Sequence, residues 1–189
     1  MDRKTLLLIT ITLEGGLFLL GLYLFKISSI DLSSQLTLTW RATFLAFFFC
    51  LPMLTALYFT MKTDWPPLSR LRGEIEERIR PLFAKSKIID LLIISIFAGV
   101  AEELFFRGWM QTVLADKFGL LLGIALTSLL FGLAHYLSKE YALYAFVTSL
   151  YLGVIFHFTG NLYILMAAHA AYDFVALGYF LTKNNQALK

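Results

Sequence analysis

The chain has 189 residues, a formal net charge of +3, a mean hydropathy of +0.74, 59% hydrophobic residues and only 15% charged ones. A soluble domain of this size carries about 25% charged residues, so composition excludes an ordinary soluble domain and points to a membrane protein. The single cysteine, Cys50, lies in the apolar run AFFFCLPML, which excludes a disulfide framework.

In chain order, six stretches approach the roughly 20 apolar residues that a bilayer core requires. They are Thr5–Phe25, Ala42–Met61, Ile88–Leu114, Gly119–Tyr136, Tyr141–Phe158 and Leu162–Leu181. The first reads as a retained helix and not a signal peptide: its apolar region is too long, Glu14 interrupts it, and no small-x-small cleavage site follows. Glu14 is a lone intramembrane acid, expected to face the bundle and be hydrogen-bonded internally. Pro52 marks a kink in the second stretch. The third is longer than a bilayer needs, so it protrudes or tilts. No internal repeat is visible. The expected fold class is all-α: a polytopic transmembrane helical bundle of about six spans, in a single integral-membrane domain over residues 1–189.

Lys62–Lys87 is the one long polar connection. Asp64-Trp65-Pro66-Pro67 ends the preceding helix, since proline restricts both itself and the residue before it. Leu68, Leu71, Ile75, Ile79 and Leu82 then recur at helical spacing, which predicts a short amphipathic helix on the membrane surface, without chemistry of its own. The interleaved acids Glu74, Glu76 and Glu77 argue against a nucleic-acid partner. With the N-terminus inside, the inner segments hold Arg3, Lys4, Lys62, Arg70, Arg72, Arg78, Arg80, Lys85, Lys87, Lys139, Lys183 and Lys189, against only Lys26, Arg41 and Lys117 outside. This asymmetry places both termini in the cytoplasm, and the bacterial inner membrane is the expected location.

The third stretch carries AEELFFRG, with Glu102, Glu103 and Arg107 inside an apolar run. Each such charge costs roughly 2.5–3.5 kcal/mol on insertion scales, so each needs a partner or a task. Glu103 and Arg107 are four apart, acid first, the favourable orientation for an ion pair. Glu102 is rotated by about 100° from Glu103 and is left freer, which makes it the better general base. Taken alone, the three charges fit a purely structural ion cluster equally well.

All three histidines lie in the last third. His135 follows Phe131 by four residues, and Gly132 permits close helix approach. His169 precedes Asp173 by four, so the carboxylate can fix its tautomer. His157 has no acid at helical spacing and reads as interfacial and non-catalytic. If the third and fourth stretches turn near Phe118, Glu102 and His135 lie at one depth, roughly 25 Å from that turn at 1.5 Å per residue, which pairs them. His169 is only about eight residues from the Thr159-Gly160-Asn161 turn, so that turn must dip into the bundle or the fifth stretch must be short. There is no HExxH helix, no GxSG-type serine and no pair of glycine-flanked aspartates. A dry carboxylate–histidine site that activates water is the consistent chemistry.

Glu102-Glu103-x-x-x-Arg107, Phe131-x-x-x-His135 and His169-x-x-x-Asp173, in that order, resemble the CAAX protease and bacteriocin-processing (CPBP, or Abi) family of type II CAAX prenyl endopeptidase-like intramembrane proteases. Phe106-Arg107-Gly108, Phe131-Gly132 and Thr159-Gly160-Asn161-Leu162 support it, and the likeness covers about Asp90–Val175. The resemblance implies an endopeptidase acting on a membrane-associated protein or peptide. Glu102 and His135 would activate water, Glu103 and Arg107 would form an orienting pair, and His169 with Asp173 would position substrate or stabilise the oxyanion. Asp173 stands where the family often has Asn; an ionised Asp cannot donate, so its implied task is to orient His169. Members are commonly labelled metalloproteases, and Glu102, His135 and His169, with Glu103, supply enough donors for a zinc ion; a metal-free glutamate mechanism fits the residues equally. Two readings from other classes stand beside this one. The first is a non-enzymatic interaction protein (bacteriocin immunity or scaffold) using the polar cluster structurally. The second is a proton-coupled transporter using Glu14, Glu102 and Glu103, which the lack of an inverted repeat disfavours.

Overall fold

A computed structural model describes residues 1–187, with side chains up to Tyr179. Lys183, Lys189 and the end of the sixth stretch at Leu181 therefore lie outside the described side chains. The described chain is helical, without strands. Four helices are long and apolar enough to cross a membrane: Arg3–Ser28, Trp40–Lys62, Lys139–Thr159 and Leu162–Tyr179. The third and fourth expected spans are the ones that fall short. Ile88–Leu114 is divided into α5 (Ile88–Glu102), a π-helical segment Glu103–Gln111 and α6 (Thr112–Phe118), and α7 (Leu120–Ala134) has 15 residues.

Local chemistry sets the ends of these elements. α1 (Arg3–Ser28) starts where the Asp2 carboxylate accepts the amides of Lys4 and Thr5, and α2 (Trp40–Lys62) where the Thr39 hydroxyl accepts that of Ala42. Pro66 opens α3 (Pro66–Glu74), which runs through a π-helical turn, Ile75–Ile79, into α4 (Arg80–Phe83). Ser138 caps α8 (Lys139–Thr159), and α9 spans Leu162–Ala187. The helices gather round Leu104, Leu152, Leu162, Leu165 and Ala168, all essentially buried.

Contacts divide the molecule into two ends. At one, Arg3 forms a two-pronged bond to Asp90 at 2.6 and 2.7 Å, so α1 and α5 start side by side. Arg70 bonds Glu140 at 2.7 Å at this same end, tying the surface helix to the start of α8. At the other end Trp109 donates to Ser28 at 2.9 Å, and Asn161 exchanges hydrogen bonds with the backbone of Thr37 at 2.8 and 3.1 Å. The loop between α1 and α2 thus covers the α8–α9 turn and buries Asn161. His169, eight residues after Asn161, comes within 3.9 Å of Glu102.

The α5–α9 crossing sets how closely these two residues approach. A Cβ on Gly99, one turn before Glu103, would lie 2.8 Å from the carbonyl oxygen of Met166 and 2.9 Å from the amide nitrogen of Ala170. Backbone cannot retreat as a side chain does, so Gly99→Ala should lower the melting temperature in detergent, with a loss of about 1–3 kcal/mol. Gly15→Ala on α1, where a methyl meets open space, should not. Indistinguishable melting curves for the two variants would show that the α5–α9 contact is looser than described.

Candidate active site

The π-helical segment begins at Glu103 and holds the most buried charges among the described residues. Glu103 and Arg107 are both fully buried, and Arg107 Nη1 donates to Glu103 Oε1 at 2.8 Å. The same oxygen lies 2.8 Å from His169 Nδ1 on α9. Arg107 reaches the Ser149 carbonyl of α8 at 3.4 Å, and its guanidinium sits 4.7 Å over the Phe131 ring of α7. One carboxylate and one guanidinium therefore join the π segment to α7, α8 and α9. The expected four-residue pair is present, with contacts that spacing alone did not foretell.

Phe131 carries the next layer. Its ring stacks on His135 with centroids 4.3 Å apart, and its carbonyl oxygen lies 2.9 Å from His135 Nδ1. A carbonyl only accepts, so the neutral imidazole holds its proton on Nδ1 and presents a bare Nε2. That nitrogen is 3.6 Å from Glu102 Oε1. His135 sits just beyond the end of α7, with φ −96° and ψ 21°, rather than within the helix as Gly119–Tyr136 had implied. Gly132 lets α7 approach α8 closely: a Cβ there would be 2.8 Å from the Ala142 carbonyl oxygen.

His169 is held differently from the expectation that Asp173 orients it. Its Nδ1 is occupied by Glu103, while Nε2 faces Asp173 Oδ2 at 3.6 Å and Glu102 Oε2 at 3.9 Å. Glu103 is thus the closest group on this ring, and Asp173 lies across the working nitrogen. The physical reason is the burial of Glu103 beneath the ring, which spacing along α9 could not reveal.

Glu102, His135, His169 and Asp173 line one cavity of about 120 Å³, with Tyr141 and Tyr172 also in its wall. Neither tyrosine was singled out in the sequence; Tyr172 bonds Tyr144 at 2.9 Å. Glu102 Oε2 is buried and receives no hydrogen bond from any described residue. Glu14 joins this environment: it interacts electrostatically with Glu102, His135, His169 and Asp173, and its Oε2 is buried without a hydrogen-bond partner among the described residues, so the internal hydrogen bond anticipated for it is not formed there. His157 is exposed and lies against Phe158, away from the site. The anticipated zinc donors meet Glu102 from two sides, and among the described residues no three His, Cys, Asp or Glu side chains are grouped as a metal site.

Residues 84–175 match the family model described as Type II CAAX prenyl endopeptidase Rce1-like. Across these residues the chain is similar to that family. It is also 35% identical over 100 residues to YpbD of Bacillus subtilis (strain 168), a protein described as uncharacterized. That alignment covers 51% of this chain and 48% of YpbD, so the chain spans about half the length of this relative. No solved structure matches. The matched segment contains Glu102, Glu103, Arg107, His135, His169 and Asp173, and excludes α1, α2 and the whole surface helix.

Removing one member of the buried ion pair leaves the other without compensation, a loss of roughly 3–5 kcal/mol. Arg107→Ala should therefore lower both yield and melting temperature, whereas Lys26→Ala, at the exposed end of α1, should change neither. Size-exclusion profiles and thermal melts read this; an Arg107→Ala protein as stable as the parent would show that Glu103 does not depend on the pair.

Proposed function

We propose that the chain is an intramembrane endopeptidase that hydrolyses a peptide bond of a membrane-associated protein or peptide. The observation that carries this reading is the pairing of Glu102 Oε1 with the bare Nε2 of His135 at 3.6 Å in a small polar-walled cavity. Both groups are acceptors, and one water molecule bridges two acceptors at such a separation by donating to each. Its oxygen lone pair then faces the cavity, the arrangement a general base needs.

Water oxygen attacks the scissile carbonyl carbon while Glu102 takes its proton, steadied by His135. The carbonyl oxygen becomes an oxyanion, and His169 Nε2 is the donor placed for it, the charge of an imidazolium there being balanced by Glu103, Glu102 and Asp173. The carbon–nitrogen bond then breaks, and the departing amine takes the proton from Glu102.

The residues also support a multi-pass arrangement in one membrane domain. α5, the π segment and α6 follow one another without a break and α7 returns, so these two add crossings to the four long helices. Arg3, Arg70 and Arg78 gather at one end with the surface helix, the end we assign to the cytoplasm, with both termini there and the bacterial inner membrane as the setting. The substrate reaches the site from that side, and the family resemblance makes both prenylated and unmodified membrane peptides candidates. Neither nucleic acid nor a soluble partner is called for.

The test compares new peptide termini in membranes holding wild-type protein, Glu102→Gln or His135→Ala, by mass spectrometry. Each variant should lose about 10²-fold or more of the cleavage while melting like the wild type. A chelator should leave cleavage unchanged; loss reversed by zinc would assign Glu102, His135 and His169 to a metal. Identical termini in all three proteins would overturn the reading and favour a non-enzymatic role for the cluster.

A further inference from the structure

Two stretches of the described chain are π-helical, Glu103–Gln111 and Ile75–Ile79. Such turns make up well under about 1% of residues and concentrate at functional sites. The first carries Glu103 and Arg107. The second lies in the surface helix, which the chemistry above does not use.

Its side chains point to a use. Ile75 and Ile79, with Leu57, Phe83 and Ile94, line a cavity of about 190 Å³. The remaining wall includes Tyr141, Tyr172 and Asp173, the same three residues that line the Glu102–His135 cavity. A helix that merely rested on a bilayer would turn its apolar face to lipid. Here Leu71 and Ile75 are buried against protein. The polar rim fastens this roof in place: Arg72 donates to the carbonyls of Met61 and Thr63 at 3.2 and 3.1 Å, and Arg78 to that of Leu137, two residues past His135, at 3.4 Å.

We propose that this cavity is a specificity pocket for one large apolar side chain of the peptide substrate, adjacent to the bond cut at Glu102 and His135, with Ile75 and Ile79 setting its size. This rests on the endopeptidase reading. A cavity of about 150 Å³ holds benzene, so 190 Å³ matches a leucine, methionine or phenylalanine side chain. Its wall combines apolar residues of the surface helix with Tyr141, Tyr172 and Asp173, which it shares with the site. An apolar side chain would pack against the former while its backbone meets the latter. The shared wall argues for a substrate side chain over a lipid tail, as does a volume that suits one side chain.

Two measurements on the full chain in nanodiscs test this. In the first, a peptide library cut from a proteome is offered to wild type and Ile79→Trp, with Glu102→Ala as blank. Wild type should select a large apolar residue at one fixed position from the cut, and the tryptophan should lower cleavage of those peptides about tenfold or more relative to peptides with Gly or Ala there. If Ile79→Trp does not fold, Ile75→Ala serves, with selection moving to tyrosine and tryptophan. An unchanged profile overturns the pocket and leaves the endopeptidase standing. In the second, N-acetyl-phenylalaninamide is titrated into Glu102→Ala protein labelled at isoleucine methyls. Saturable shifts at Ile75, Ile79 and Ile94, absent when Ile79→Trp is added, support the pocket even if nothing is cut, in which case the endopeptidase reading falls. No saturable shift, or the same shifts from tetradecane, overturns it.

Discussion

The buried Glu103 carboxylate is the constraint on which the rest of the structure depends. It is fully buried and close to an arginine and a histidine through a single oxygen. Taking a carboxylate and a guanidinium out of water costs several kcal/mol per ion, and only good geometry offsets this. The geometry here requires three things at once: a π segment that presents Glu103 and Arg107 together, an α9 close enough to deliver His169, and a Phe131 ring beneath the guanidinium. Each requirement fixes a different helix. The ion cluster is thus a reason for the bundle to adopt one arrangement, since a slipped helix would strand a charge in an apolar interior.

That constraint separates holding from reacting. Glu102, one residue earlier, points to the other side, where its oxygens face His135 and His169 at 3.6 and 3.9 Å. These separations are longer than direct hydrogen bonds and leave lone pairs to be used. Glu103 is saturated on one oxygen by partners at 2.8 Å, which suits a group that positions others. Two adjacent glutamates thereby receive different physical environments from one change of helical phase, and on the proposed reading different roles.

Much of this was legible in the sequence because it is local. The Glu103–Arg107 pair follows from helical spacing, and the Glu102–His135 pair from counting residues on either side of a hairpin. Asp2, Thr39 and Ser138 cap α1, α2 and α8 with side-chain oxygens, a rule of the same local kind. What could not be read is non-local or depends on helix type. Periodicity takes 3.6 residues per turn and gives no warning of a π segment, so α5 and α6 read as one span. The Arg3–Asp90 bond joins residues 87 apart. The grip of Glu103 on His169 spans 66, and the spacing of His169 and Asp173 pointed to a closer partner that the packing does not supply. Spacing nominates neighbours on one helix; only packing chooses among neighbours on several.

The surface helix shows what such reading leaves open for a physical reason. Its alternating charges and leucines fit a helix floating on lipid, and hydrophobicity cannot distinguish lipid from a protein cavity, since both accept an apolar face. Arginines 70, 72 and 78 make the difference, because each anchors to a specific partner: Glu140, the end of α2, and the loop after His135. A floating helix would leave those side chains to water and headgroups. Anchored, it closes the bundle at the end where α7 stops at 15 residues, so the short α7 and the amphipathic roof account for each other. Arg78 holds the Leu137 carbonyl two residues past His135, so the loop that carries His135 is fastened by the same helix whose Ile75 and Ile79 line the neighbouring cavity.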